Sequence, residues 1–264
     1  MNKITSKENA IIKETKKLRD NKKYRMKNKQ FIIEGFRFVE EALKSNFHVS
    51  TIFISDSAYE KEKIHSFLNI KNNVKLYVVK DFILKYICST DNPQGIAAIV
   101  DYNNIKIKNE KGFYILVDKI QDPGNMGTII RTAHASGALG VIYTKGTVDV
   151  YNEKTLRSTM GSIFYVPIIE DEDLSITKSL KNQGFKLIGS SLESEKNFYN
   201  LSLKDKIIIS VGNEGNGLSK EVYDLCDILC KIPMPGNAES LNAAIASAIM
   251  MFEIVRQNSV NINK

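Results

Sequence analysis

Apolar and β-branched residues recur in short blocks along the chain, and their spacing changes part-way. In the first hundred residues Phe31-Ile32-Ile33, Val49–Ile54, Val74–Val79 and Ile96–Val100 read as strands. Between them Lys7–Asn21 reads as a basic amphipathic helix. Glu34–Lys44 carries Phe38, Ala42 and Leu43 on one side of a second helix, and Asp81–Ile87 forms a third. A regular rhythm then begins. Apolar runs start near Tyr114, Val141, Ile163, Lys186, Ile207 and Leu229, about 20–27 residues apart, which is the spacing of βαβ units. Those runs are almost continuously apolar, as in a sheet covered on both faces. The pattern predicts an α/β fold: a mostly parallel sheet with its site beyond the C-terminal strand ends, preceded by a smaller α/β domain. A last helix, Leu241–Gln257, has Leu241, Ile245, Ala248, Ile249, Phe252 and Val255 at helical spacing. Its alanines permit close approach by another element, either the core or a second subunit.

Glycine usage supports a division. Of 15 glycines only Gly35 precedes residue 94, and Pro93 is the first of five prolines. The polar stretch 101–112 is the expected linker between a domain over 1–100 and one over 113–264. The net charge of +7 is equally uneven. Residues 1–30 carry 11 basic and 3 acidic side chains, and the remainder carries 26 and 27. Lys16, Lys17, Arg19, Lys22, Lys23 and Arg25 are candidate phosphate contacts, with Tyr24 and Phe31 as stacking partners for bases; a solvated basic tail is the alternative. Cys88, Cys226 and Cys230 form no CxxC pair, which favours a reducing, cytoplasmic setting and no zinc ribbon. The expectation is no metal. The longest apolar stretch, Ala243–Phe252, is half a membrane span, so no transmembrane helix and no membrane partner are expected.

Three segments concentrate chemistry. In the first, a strand ending at Asp118 runs into Pro123-Gly124, and Asn125 reads as the N-cap of a helix with Arg131 on its polar side. A helix N-terminus with a nearby arginine suits a phosphate or an oxyanion; an ordinary β-turn-α connection is equally compatible. In the second, Val211-Gly-Asn-Glu-Gly-Asn-Gly217 places Glu214 among glycines that let backbone approach a ligand. Its G-x-x-G-x-G order is neither a dinucleotide fingerprint nor a P-loop. In the third, Ile232-Pro-Met-Pro-Gly leads to Ser240 and Asn242, either of which can cap the last helix.

Taken together, DPGNMGTIIRTA, VGNEGNG and IPMPGNAESLNAA resemble the three motifs of the SpoU/TrmH family of RNA ribose methyltransferases, in the SPOUT superfamily. The similarity covers nearly all of 113–257, and the Arg157-Ser-Thr-Met-Gly stretch resembles a fourth family segment. The front part, with Phe31-Ile-Ile-Glu-Gly, is similar to the family's substrate-binding domain. The resemblance implies a C-terminal trefoil knot, a homodimer, and S-adenosylmethionine-dependent 2′-O-methylation of RNA. It implies cofactor contacts at Gly189, Ser190, Gly212, Ile232, Met234 and Leu241. It also implies catalytic roles for Asn125, Arg131, Glu214, Ser240 and Asn242, and an RNA contact at Arg157. Ribosomal RNA is the expected substrate. A tRNA ribose methyltransferase and a non-catalytic RNA-binding protein of the same fold are the alternatives. Neither His48 nor His65 belongs to these segments, and His134 reads as a partly exposed helix residue.

Overall fold

The computed structural model describes residues 2–60, 74–103, 106–236 and 238–259. His65 lies outside the described residues. The chain divides into two compact units, Met1–Asn104 with Tyr151–Phe164, and Ile105–Val150 with Tyr165–Lys264. The sequence expectation was one continuous second part from residue 113. The structure instead groups Tyr151–Phe164, and Arg157 with it, with the first unit. The cause is aromatic packing: Tyr151 and Phe164 both pack on Phe31, with ring centroids 4.8 and 6.4 Å away.

The first unit contains β1 (Asn2–Ile4), α1 (Ala10–Asp20), α2 (Lys22–Asn28), β2 (Gln30–Glu34), α3 (Phe36–Lys44), β3 (Val49–Ser55), α4 (Asp56–Tyr59), β4 (Lys75–Val79), α5 (Asp81–Ile87) and β5 (Ile96–Asp101). The strands pair in the order β1-β4-β3-β5-β2. β1/β4 and β3/β4 are parallel, whereas β5 runs antiparallel to both β3 and β2. The three-residue β1 escaped the sequence pattern because only Ile4 of it is buried. α1 buries Ile12, Thr15 and Leu18, one face at helical spacing. Asn21 ends that helix and starts the next: its N–H donates to Lys17 O, and its side chain accepts from Tyr24 N.

This packing changes the basic cluster. Arg25 is only 5% exposed, and its guanidinium donates to the carbonyls of Leu18 (2.5 Å) and Arg19 (2.6 Å), clamping α1 to α2. Arg19 donates to the carbonyls of Tyr86 (2.9 Å) and Cys88 (2.6 Å). Both arginines are therefore spent on the fold rather than offered to phosphates. Phe31 is fully buried, so it does not stack on a base. Lys17, Lys22 and Lys23 remain exposed, while the Lys16 ammonium sits 4.0 Å above the Tyr86 ring.

The second unit contains β6 (Gly112–Val117), α6 (Pro123–Ala135), β7 (Gly140–Thr144), β8 (Ile168–Asp171), α8 (Ser175–Asn182), β9 (Lys186–Ser190), β10 (Lys206–Val211), α9 (Lys220–Leu225), β11 (Ile228–Cys230) and α10 (Ala243–Ser259); the intervening α7 (Glu153–Thr159) belongs to the first. Its sheet runs β11-β9-β10-β6-β7-β8, parallel at every pairing. β6 and β10 are buried almost throughout and pair at its centre. The run expected near Ile163 is a single 3-10 turn, Ser162–Phe164, and the strand begins at Ile168. Positive φ at Met160 and Gly161 ends α7 abruptly, and Pro167 precedes the strand.

α10 also differs from its pattern. Ala243, Ala244, Ser247, Met250, Met251 and Ile254 are buried, whereas Ile245 and Phe252 are 50% and 48% exposed. The helix is apolar on nearly every side, so spacing alone does not say which face meets the core.

The cysteines are free thiols, Cys88 and Cys230 buried and Cys226 half-buried. Burial pushes Cys226 up to about 11 and Cys230 up to about 12, and raises Cys88 as well. At about pH 8 the thiolate fraction of Cys226 is then on the order of a thousandth. A colorimetric disulfide reagent should therefore leave all three thiols of the native protein unreacted over minutes and titrate them in denaturant. Prompt reaction of any thiol in the native state would contradict this burial. Among the described residues no group of three or more His, Cys, Asp or Glu is placed to hold a metal ion, and no helix is long and apolar enough to cross a membrane.

Candidate active site

The site grows from the C-terminal ends of the central strands. Asp118 follows β6 and is fully buried. One of its oxygens accepts from Thr144 Oγ1 (2.7 Å) and the other from Ser219 N (2.6 Å). A buried carboxylate is tolerable when hydrogen-bonded in this way. It ties the end of β7 and the exit of the glycine loop to one strand end.

That loop is Gly212–Gly217, leaving β10. Asn213 N donates to Gly217 O and Gly217 N to Asn213 O, both at 2.9 Å. The Asn213 side chain accepts from Gly215 N and Asn216 N and donates to Lys119 O. The loop is thus a closed knuckle with Glu214 exposed at its tip. Gly212 lies where the knuckle folds back: a Cβ there would meet Gly217 C at 2.1 Å and Leu218 N at 2.3 Å.

The first motif is capped differently from its sequence reading. Asp122, not Asn125, is the N-cap of α6; its side chain accepts from Asn125 N at 2.7 Å, with Pro123 in the first turn. This frees the Asn125 side chain. Its Nδ2 donates to Glu214 Oε1 (2.8 Å), and its Oδ1 accepts from Asn242 Nδ2 (2.9 Å). Asn242 caps α10, its Oδ1 accepting from Ala244 N (2.9 Å) and Ile245 N (3.3 Å). Three segments far apart in sequence therefore join in one chain of hydrogen bonds, running from a helix N-terminus to a carboxylate.

Beside this chain lies a cleft of about 690 Å³. Gly212 and the knuckle form one wall, and Ile232, Met234 and Leu241 add apolar surface. Ser190, Glu193, Glu239 and Ser240 supply polar groups. Most of the expected cofactor contacts, Ser190, Gly212, Ile232, Met234 and Leu241, thus line one space. Gly189 does not. It is buried, and a Cβ there would meet Cys226 Sγ at 2.6 Å, so it serves packing. Arg131 is exposed on α6 and outside the cleft lining. It lies six residues past Asn125, about 9 Å along the helix and about 120° around it, so the two do not share one rim. The stacked pair His134 and Tyr165, centroids 5.0 Å apart, stands one turn further on.

Sequence reasoning missed Asp118, Asn213 and Glu239. A Gly-Asn pair directly after a strand and before E-G-N-G is the signature of a side-chain-closed turn, and it was available. Nothing local marks Asp118, whose partners lie 26 and 101 residues away.

A cleft at the C-terminal edge of a parallel sheet, walled by glycine backbone, is the geometry of an α/β enzyme that binds a small cofactor. Comparison with known proteins gives the family. Residues 112–252 match the SpoU rRNA methylase family, and residues 9–98 match the MRM3-like substrate binding domain. The 23S rRNA (guanosine(2553)-2′-O)-methyltransferase RlmP of Bacillus subtilis is 35% identical over 254 residues, 96% of this chain and 99% of its own. The SpoU methyltransferase AviRb of Streptomyces viridochromogenes, solved with the cofactor AdoMet, superposes with a TM-score of 0.87 at 27% identity, covering 95% of this chain and 98% of that one. An AdoMet-bound rRNA methyltransferase of Sinorhizobium meliloti gives 0.84 at 31% identity, covering 96% and 97%. The chain belongs to the SpoU rRNA methylase family.

Proposed function

We propose that the chain transfers a methyl group from S-adenosylmethionine to a ribose 2′-hydroxyl of ribosomal RNA. The observation that carries this reading is the hydrogen-bonded chain of Asn242, Asn125 and Glu214 at the edge of the cleft. S-adenosylmethionine supplies an electrophilic methyl on a sulfonium centre. The cleft suits it: the Gly212–Gly217 backbone walls one side, Ile232 and Leu241 give apolar surface, and the carboxylates of Glu193 and Glu239 complement ammonium and hydroxyl groups. Glu214, held by Asn125, accepts a hydrogen bond from the ribose hydroxyl and so fixes the direction of its lone pair. Ser240 borders the same cleft and adds a second hydroxyl contact. Arg131 holds the phosphate beside the target ribose. Its guanidinium stays charged, so it positions the RNA and does not take the hydroxyl proton.

The exposed Ile245 and Phe252 of α10 support a homodimer built on that face, since large apolar groups at helical spacing are costly to leave in water. The cytoplasm, where ribosomal RNA is available, is the compartment this activity implies. Exposed Lys17, Lys22 and Lys23 and the guanidinium of Arg157 supply phosphate contacts.

Purified protein with labelled cofactor and unmodified total RNA should label one ribosomal RNA band as a single 2′-O-methyl nucleoside, read by mass spectrometry. Arg131→Ala should lower that rate by about a hundredfold or more while leaving cofactor binding intact. Label in tRNA alone would move the substrate, and a methylated base would reject the ribose chemistry. Binding of RNA with no transfer to any RNA would favour the non-catalytic alternative.

A further inference from the structure

In the first unit, α1 brings lysines to aromatic rings on both of its flanks. The Lys16 ammonium lies 4.0 Å from the centre of the Tyr86 ring. That of Lys7, three residues before the helix, lies 4.8 Å from the same centre and 5.5 Å from that of Phe82. Lys17, beside Lys16 on α1, stands 5.9 Å from the Tyr24 ring. Phe82 and Tyr86 come from α5, and Tyr24 from α2. Strong contacts of this kind occur about once in 70–80 residues, so three lysines on three rings within one small unit are a concentration.

The rings differ in what they leave open. Tyr24 and Tyr86 are half-buried and packed on the apolar core. Phe82 is 52% exposed and forms one wall of an open cleft of about 450 Å³, so its ring has room for a flat ligand. The lysines are equally available. A ring fixes an ammonium without cancelling its charge, as a carboxylate would. Among the described residues neither Lys7 nor Lys16 is paired with a carboxylate. Glu8 is taken up by Lys13 (2.5 Å), Asp20 by Arg19 (2.6 Å), and Asp81 accepts from Ser57 (2.6 Å). Glu14, two residues from Lys16, projects about 200° round α1 from it. Both lying within 5 Å of one ring centre, the Lys7 and Lys16 ammonium groups are at most about 9 Å apart. Two unneutralised cations so close are relieved by an anion between or across them.

We propose that this face binds an unpaired segment of the RNA substrate, with a base stacked on Phe82 and the backbone phosphates on Lys7 and Lys16. The proposal deepens the RNA-methyltransferase reading and rests on it. An acidic peptide would satisfy the lysines and leave the phenyl face bare. A nucleotide carries the anion and the flat ring together, and stacking accepts any base, so the face grips a single strand without reading its sequence. Phe82 thus takes the part expected of Phe31, although it lies outside the basic segment.

The test titrates the full chain into fluorescent oligoadenosine of about twelve nucleotides and into an abasic strand of equal length and charge, read by anisotropy. The parent should bind oligoadenosine the more tightly. Phe82→Ala should weaken oligoadenosine binding about tenfold and leave the abasic strand within about twofold. Phe82→Leu, which keeps apolar bulk without a ring, should behave like Phe82→Ala, and Phe82→Trp should bind like the parent. Replacing Lys7 and Lys16 together by glutamine should weaken both strands and flatten the slope of log affinity against log salt by about 1.4, the value for two phosphates of a single strand. Equal binding of the two strands by the parent would overturn the proposal, and that comparison needs no variant. A preference for bases that survives Phe82→Ala would overturn it as well. Displacement of the strand by oligoglutamate of equal charge would reassign the face to an acidic peptide. Methyl transfer measured on the same preparation separates the two readings. Transfer by a parent with no preference for bases rejects this face alone; a preference lost in Phe82→Ala, without transfer to any RNA, rejects the methyltransferase reading and supports the face.

Discussion

Gly212→Ala should weaken cofactor binding by about a hundredfold or more, while Gly215→Ala leaves it near the parent value. The two glycines stand three residues apart in one loop, and their surroundings are opposite. A Cβ on Gly212 would lie 2.1 Å from Gly217 C, 2.2 Å from Gly217 O and 2.3 Å from Leu218 N. All three atoms are backbone, so no side chain can rotate away. The knuckle must open, and opening it breaks the paired hydrogen bonds between Asn213 and Gly217. It also displaces Leu218 and the Ser219 N–H that Asp118 accepts. Each such bond contributes about 1 kcal/mol, and the buried Asp118 oxygen left without its donor adds a penalty of about 1–3 kcal/mol. A Cβ on Gly215, in contrast, would find only Asn213 Oδ1 at 3.6 Å. Gly217 is intermediate: it has open space but φ +68°, so alanine there costs about 1 kcal/mol of backbone strain. Calorimetric titration of the cofactor into the three variants checks this order, with thermal unfolding run in parallel. Gly212→Ala binding within about threefold of the parent would reject the close approach of the Gly217–Leu218 backbone as the reason for glycine.

That ranking marks where sequence reasoning stops. The G-x-x-G-x-G pattern announces a loop that approaches a ligand, but it does not say which glycine meets backbone and which meets solvent. The strands of the parallel sheet were legible because continuous apolar runs at βαβ spacing leave little freedom. The cap of α10 was legible only to within two residues: Ser240 and Asn242 both precede the alanine-rich run, and the structure gives the role to Asn242. Asn125 was misread because Asp122 competes for the same helix, and the Pro123 that follows Asp122 settles the competition. Arg25 and Phe31 were misread for a different reason. A basic or aromatic residue in a charged segment looks solvent-facing until the fold brings carbonyls or rings to it. The Leu18 and Arg19 carbonyls that hold Arg25 are themselves local, but Phe31 is covered by Tyr151 and Phe164, more than a hundred residues away. Long-range burial of this kind leaves no periodic trace.

Asn125→Asp should lower the turnover rate about a hundredfold at neutral pH, with a pH dependence that Asn125→Ala lacks. The direction of the hydrogen-bond chain sets this outcome. Its two ends have fixed sign: the Ala244 and Ile245 amides only donate, and the Glu214 carboxylate only accepts. Asn242 and Asn125 are therefore both oriented with oxygen toward α10 and nitrogen toward Glu214. An aspartate at 125 keeps the acceptor for Asn242 but places a second carboxylate about 2.8 Å from Glu214 Oε1. Two carboxylates so close share a proton, and the upper pKa of the pair rises above the ordinary carboxylate range. Below that pKa the shared proton restores a hydrogen bond. Above it the pair repels and Glu214 leaves its place. Activity of the variant relative to the parent should accordingly fall as pH rises from acid toward neutral. Asn125→Ala removes the donor without adding charge, so its ratio to the parent stays flat. Adding Glu214→Gln to Asn125→Asp supplies a donor facing the new carboxylate and rebuilds the chain in reversed polarity at that link. The double variant should then lose less than the two single changes predict together, a coupling that a cycle of rate constants measures directly. Additive losses, or an Asn125→Asp ratio independent of pH, would show that Glu214 and Asn125 act separately and that the chain does not order the reacting hydroxyl.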